Sequence, residues 1–322
     1  MIDDLVERVT AGDRRALARV MTLIEADRPE GHDALRRLFT RTGRAHTVGI
    51  TGSAGTGKST LTAALARAWR AQGRTVGIVA VDPSSPFTHG ALLGDRIRMQ
   101  ELASDPGVFV RSMASRDALG GLAPATAAVV SVLDSAGMDV VIIETVGAGQ
   151  DEVEIASAAM TTVVLLTPGA GDDVQAMKAG IMEIADVLVV HKADLPSADQ
   201  LLRQVASMVE GTARDGWRRP VLKASAAAGE GIDELIDAID RHRSWLVETG
   251  ALERQRAEQA RHQVLSLVRQ RLLERVLAST DDRALERVVE RVAARDLDPH
   301  TAAETLIERA EGERPLPRRS RA

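Results

Sequence analysis

Cysteine is missing from the 322-residue chain. Disulfides and thiolate metal centres are therefore excluded, and a reducing compartment, the cytoplasm, is the expected location. No apolar run approaches the roughly 20 residues needed to span a bilayer, and the acidic start Met1-Ile2-Asp3-Asp4-Leu5 has no signal-peptide core. Net charge is only −5, so no global attraction to nucleic acid or to a membrane surface is expected. There are no internal repeats. Lysine is nearly missing too: of 41 basic residues only Lys58, Lys178, Lys192 and Lys223 are lysine, the rest arginine. Such a chain keeps lysine where a compact ammonium on a flexible stem is wanted.

What is present is a soluble-protein composition, 44% hydrophobic and 27% charged, and one strong motif. Residues 52 to 59 read Gly52-Ser53-Ala54-Gly55-Thr56-Gly57-Lys58-Ser59, a full match to G-x-x-x-x-G-K-[ST]. Gly52 and Gly57 let the backbone turn tightly and approach phosphate oxygens. The loop amides, continuing through Thr60 into a helix, form an anion cradle. Lys58 is placed to reach the β- and γ-phosphates and Ser59 to ligate Mg²⁺. A β-branched run, residues 45–51, precedes the loop, and a helical pattern from Thr60 to Gln72 with Leu61, Leu65, Ala68 and Trp69 on one face follows it.

From about residue 45 to 225, apolar runs alternate with helical stretches. Runs such as Val140-Val141-Ile142-Ile143 are apolar on both faces, as parallel strands covered on both sides must be. The expectation is an α/β P-loop NTPase fold, a doubly wound, mostly parallel sheet with helices on both faces and ligands at the carboxyl ends of the strands. It divides into an N-terminal helical extension (1–40), broken at Pro29-Glu30-Gly31, the P-loop domain (41–248) and a C-terminal helical arm (249–322) with a disordered tail. In that arm Ala257, Ala260, Val264, Leu267, Val268 and Leu272 form a seam suited to self-association as a homodimer.

The strand ends carry further chemistry. Val79-Ala80-Val81-Asp82 ends in Asp82, and Ile142-Ile143-Glu144 ends in Glu144, with Gly147 three residues on. An acid at a strand end beside a phosphate loop holds Mg²⁺ directly or through water, and Gly147 occupies the γ-phosphate-sensing place of a D-x-x-G pattern. His191-Lys192-Ala193-Asp194 resembles the guanine-reading N-K-x-D motif, with His191 in the Asn place. Asp194 would accept from guanine N1 and N2, the Lys192 stem would lie along the base, and a neutral His191 still offers one N–H. Ser225 and Ala226 fit the Ser-Ala loop that backs guanine O6. Gln150 is a candidate for orienting the attacking water.

The stretches 81–88, 93–99, 111–116 and 119–123, together with Glu144-Thr145-Val146-Gly147-Ala148-Gly149-Gln150, resemble the methylmalonyl-CoA mutase-associated GTPase family (MeaB, MMAA, ArgK) over roughly residues 40 to 230. The resemblance implies a homodimeric P-loop GTPase that binds GTP and GDP with Mg²⁺. It also implies a chaperone role that couples nucleotide turnover to cobalamin loading, protection and reactivation of an adenosylcobalamin-dependent acyl-CoA mutase. Carried over by position, Ser59, Asp82, Asp95 and Glu144 would surround Mg²⁺. Gly94 to Arg98, including Arg96 and Arg98, would be one switch, and Gly147 to Asp151 a second. Thr167 to Lys178, with Asp172, Asp173, Gln175 and Lys178, would face the mutase. The departures are Ala54, where the family commonly has Pro, and His191 for Asn. Two other readings share the architecture: a P-loop ATPase or kinase of the ArgK type, and a nickel-delivery GTPase, for which the missing cysteines leave few ligands.

Overall fold

A computed structural model describes residues 2–83, 102, 104–115, 124–145, 151–169, 181–310 and 312. The chain forms two compact units, residues 1–260 and 261–322. In the first, helices α1 (Ile2–Thr10), α2 (Arg14–Glu25) and α3 (Pro29–Leu38) precede β1 (His46–Thr51), α4 (Lys58–Ala71), β2 (Val76–Pro83), β3 (Val108–Ser115), α5 (Pro124–Ser135), β4 (Val140–Thr145), α6 (Asp151–Ala158) and β5 (Thr161–Leu166). Then come α7 (Ile181–Ile184), β6 (Val187–His191), α8 (Ala198–Val209), a two-residue hairpin β7 (Ala213–Arg214) and β8 (Trp217–Arg218), β9 (Val221–Ala224) and α9 (Ile232–Glu248). Helix α10 (Ala251–Ser279) contains the boundary between the units, and α11 (Asp282–Ala293) and α12 (Pro299–Ala310) complete the second.

Seven strands pair in the order β3-β2-β4-β1-β5-β6-β9, every pairing parallel. Because side chains alternate across a strand, each buried strand must satisfy two cores. In β4, Val140 and Ile142 join α4 and α9 on one face. Val141 and Ile143 join α5 and the N-terminal helices on the other, where Leu17, Val20, Met21 and Leu38 are fully buried. The apolar runs are thus the direct consequence of a sheet covered twice. Asp13 caps α2 by accepting from the Arg15 and Ala16 amides.

Pro29-Glu30-Gly31 does not end the helical region. Pro29 opens α3, where the first N–H has no helical partner to lose. Gly31 lets α3 cross α2, since a Cβ there would stand 2.7 Å from the Ile24 backbone.

From β1 the chain winds to β2, β3 and β4 on one side and to β5, β6 and β9 on the other. This makes the carboxyl end of β1 a topological switch point, where such sheets bind ligands. The opposite pole holds a buried polar chain: His46 Nε2 lies 2.8 Å from Thr161 Oγ1, which lies 2.9 Å from His242 Nδ1. Burial lowers the pKa of His46 to about 3 and of His242 to about 4, and raises that of Asp186, 3.6 Å from His242 Nε2, to about 6. Between pH 6 and 4 the two histidines bind protons only when unfolded, while Asp186 binds one when folded. The two histidines outweigh Asp186, so together these groups make stability fall as pH falls. Urea unfolding at pH 6, 5 and 4 measures this slope; a flat profile contradicts the assignment.

Candidate functional site

The turn after β1 is forced by its glycines. Gly52 has φ +140° and packs so closely on β5 that a Cβ would lie 2.4 Å from the Leu165 carbonyl oxygen. Gly57, at φ +92°, caps α4 in the left-handed region. Thr56 closes the loop by donating N–H and Oγ1–H to the Ser53 carbonyl at 3.3 and 2.9 Å. Residues Ser53, Ala54 and Gly55 remain accessible, and Thr60 lies in the first turn of α4.

Lys58 begins α4 and is 6% exposed. It curls back so that Nζ donates to the Gly52 carbonyl at 2.6 Å and the Ser53 carbonyl at 3.0 Å. Its ammonium is thereby held over the loop. Next to it, Ser59 Oγ donates to Glu144 Oε1 at 2.5 Å. Glu144 is 3% exposed at the end of β4, and the adjacent Thr145 and Thr51 hydroxyls lie 3.4 Å apart.

The second cluster sits at the ends of β6 and β9, brought together by the pairing of His191 with Ala224. Lys192 takes a left-handed conformation (φ +56°) and donates from Nζ to the Gly55 carbonyl at 2.9 Å. Asp194 Oδ1 accepts from Ser225 Oγ at 2.8 Å; this hydrogen bond holds the exposed carboxyl below its usual range. Ser225 is buried and fixed by reciprocal backbone bonds with Glu230. His191, 3% exposed, joins the two clusters: Nδ1 lies 2.7 Å from the Thr56 carbonyl, and Nε2 accepts from the Ala226 amide at 3.3 Å. Burial pushes its pKa down, so the ring is neutral with the proton on Nδ1.

Of the residues expected from sequence, the structure brings Gly52 to Thr60, Glu144, His191, Lys192, Asp194, Ser225 and Ala226 to one end of the sheet. Asp95, Arg96, Arg98, Gly147, Gln150, Asp172, Asp173, Gln175 and Lys178 lie outside the described residues, as does the side chain of Asp82. Lys223, singled out with the other lysines, forms a surface ion pair with Asp199 at 2.7 Å. The carbonyls of Gly55 and Thr56, which receive Lys192 and His191, carry no signal in the sequence beyond their place in the loop.

Gly57 and His191 touch: a Cβ on Gly57 would stand 2.6 Å from His191 Cε1 and 2.7 Å from Nδ1. Gly57→Ala is therefore expected to cost at least about 1–3 kcal/mol from backbone strain alone. Denaturant unfolding measures the loss, and wild-type stability would contradict this packing.

A family model described as methylmalonyl Co-A mutase-associated GTPase MeaB matches residues 17–281. The chain belongs to the MeaB family. A Pyrococcus abyssi protein assigned as a GTPase is 46% identical over 311 residues, covering 95% of this chain and 96% of its own. GTPase ArgK of Escherichia coli is 34% identical, with 94% and 95% covered. The crystal structure of an LAO/AO transport system kinase superposes with a TM-score of 0.73 at 28% identity, over 95% of this chain and 96% of that one. This MeaB-family chain is a P-loop GTPase, and membership of the family implies guanine-nucleotide binding. Among its described residues no helix is long and apolar enough to cross a membrane.

Proposed function

We propose that this GTPase gates the loading, protection and reactivation of adenosylcobalamin in an acyl-CoA mutase. The family match over residues 17–281 carries this reading. A relative in Mus musculus, named methylmalonic aciduria type A homolog, supports it at 31% identity over 95% of this chain.

The nucleotide's phosphates would lie in the amides of Gly52 to Thr60, with the Lys58 ammonium on the β,γ bridge and its charge held in advance of the reaction. Asp194, ionised at neutral pH, would take guanine N1–H and the 2-amino group, backed by Ser225 and Ala226. The adjacent Ser59 hydroxyl and Glu144 carboxylate are hard oxygen donors, a set that suits Mg²⁺. We assign them to hold it, with Asp82 and Asp95 completing the shell. Bound there, Mg²⁺ would neutralise charge on the nucleotide's phosphate oxygens. Gly147 is assigned to the γ-phosphate and Gln150 to the attacking water. Arg96 and Arg98 belong to the first switch, and Asp172, Asp173, Gln175 and Lys178 to a partner-facing one.

Dimerisation is assigned to α10, where Val264, Leu267, Val268 and Leu272 are between 42% and 58% exposed. An apolar stripe of that exposure calls for cover, and a second copy supplies it. The cytoplasm is the location that goes with this reading. Co-migration with a candidate mutase in GTP against GDP tests the function. A nucleotide-dependent complex is expected, and no complex with any adenosylcobalamin-dependent acyl-CoA mutase would overturn it.

A further inference from the structure

The residue that departs from the guanine-reading motif also occupies a donor that the motif would use. His191 ends β6 and is buried between the phosphate loop and the loop after β9. Its two nitrogens are committed in opposite senses: Nδ1–H donates to the Thr56 carbonyl at 2.7 Å, and the Nε2 lone pair takes the Ala226 N–H at 3.3 Å. The ring cannot turn aside cheaply, because it packs against Gly57 with no room for even a methyl group. Lys192 and Asp194, the charged neighbours on the same turn, lie on other atoms, the Gly55 carbonyl and the Ser225 hydroxyl.

In the reading above, Ala226 sits in the loop that backs the 6-oxo group of guanine. A backbone N–H has one proton, and sharing it between two acceptors weakens both bonds. An asparagine at this position would end one atom shorter: its amide overlies Nδ1 and has nothing at the place of Nε2. The histidine therefore does more than replace a donor.

We propose that His191 is a specificity-determining residue: by holding the Ala226 N–H on Nε2 it competes with the purine 6-oxo group, so that recognition of guanine rests on the Asp194 edge of the base. The proposal rests on the assignment of this cluster to the guanine base. It separates two jobs that one asparagine does together, tying the phosphate loop (Nδ1, Thr56) and leaving the Ala226 amide for the ligand.

The test compares GDP with 6-thio-GDP, which keeps N1–H and the 2-amino group and replaces the 6-oxo oxygen by a poor acceptor. Affinities are measured at pH 7.5 for the full chain, His191→Asn and His191→Gln. Asparagine keeps the Nδ1-like donor and loses the Nε2 acceptor; glutamine keeps an acceptor at the Nε2 place. The wild-type ratio of dissociation constants is expected within about twofold of one. In His191→Asn it rises about threefold to tenfold, the worth of one neutral hydrogen bond, and in His191→Gln it stays at the wild-type value. A His191→Asn ratio equal to wild type, or a His191→Gln ratio that rises with it, overturns the proposal. If His191→Asn does not fold, the wild-type and His191→Gln ratios still decide: either one well above twofold is contrary. Failure of the wild-type chain to bind GDP at all would instead overturn the assignment of the site to guanine.

Discussion

Lys58→Ala is expected to lower the rate of GTP hydrolysis by about 10²–10³-fold, the usual cost of removing one preorganised charge from a transition state. The reason is geometric. Lys58 is buried, and its ammonium is already anchored on the Gly52 and Ser53 carbonyls. Little reorganisation remains when charge develops on the transferred phosphoryl group, and alanine has nothing to put in its place. The loop's turn itself is made by Gly52, Gly57 and the Thr56–Ser53 bonds, none of which uses Lys58. The variant should therefore keep its fold, at a modest loss of stability because the Gly52 carbonyl loses its donor, while single-turnover hydrolysis collapses. Hydrolysis at the wild-type rate would show that the chemistry lies elsewhere.

The second large effect concerns the base. Asp194→Asn is expected to weaken GTP binding by about 10–100-fold, the loss of charge-assisted hydrogen bonds to N1–H and the 2-amino group. It is expected to improve xanthosine triphosphate binding by a similar factor, because an amide offers the donor that a 2-oxo group needs. The Ser225 hydroxyl that now donates to Asp194 can donate equally to the amide oxygen, so the loop need not move. Equilibrium titration with both nucleotides reads the exchange. Unchanged preference for GTP would remove Asp194 from the base site.

The parallel strands were legible because a sheet covered on both faces leaves no polar alternation: Val140 to Ile143 could only be buried twice over. The phosphate loop was legible because its glycines and Lys58 answer to local constraints. Local reasoning failed where the deciding contact is distant. Pro29 reads as a breaker until α3 is seen to start on it. The hairpin of Ala213–Arg214 with Trp217–Arg218 is too short to carry a pattern. His191 reads as an impaired asparagine, and its two partners, Thr56 and Ala226, come from separate loops that only the pairing of β6 with its neighbours brings within reach. The His46–Thr161–His242 chain likewise joins β1, β5 and α9, which no spacing in the sequence connects.

Lysine usage shows both outcomes. Lys58 and Lys192 converge on carbonyls of the same loop, at Gly52, Ser53 and Gly55, as sparing use of a flexible ammonium suggests. Lys223 merely pairs with Asp199 on the surface, a contact worth little in water.

The coupling to a mutase is tested most directly by single-turnover GTP hydrolysis by the full chain, with and without an adenosylcobalamin-dependent acyl-CoA mutase. Slow intrinsic turnover that the cognate mutase accelerates is expected, with Lys58→Ala slower by about 10²–10³-fold in both arms. A hydrolysis rate indifferent to every such mutase would contradict it.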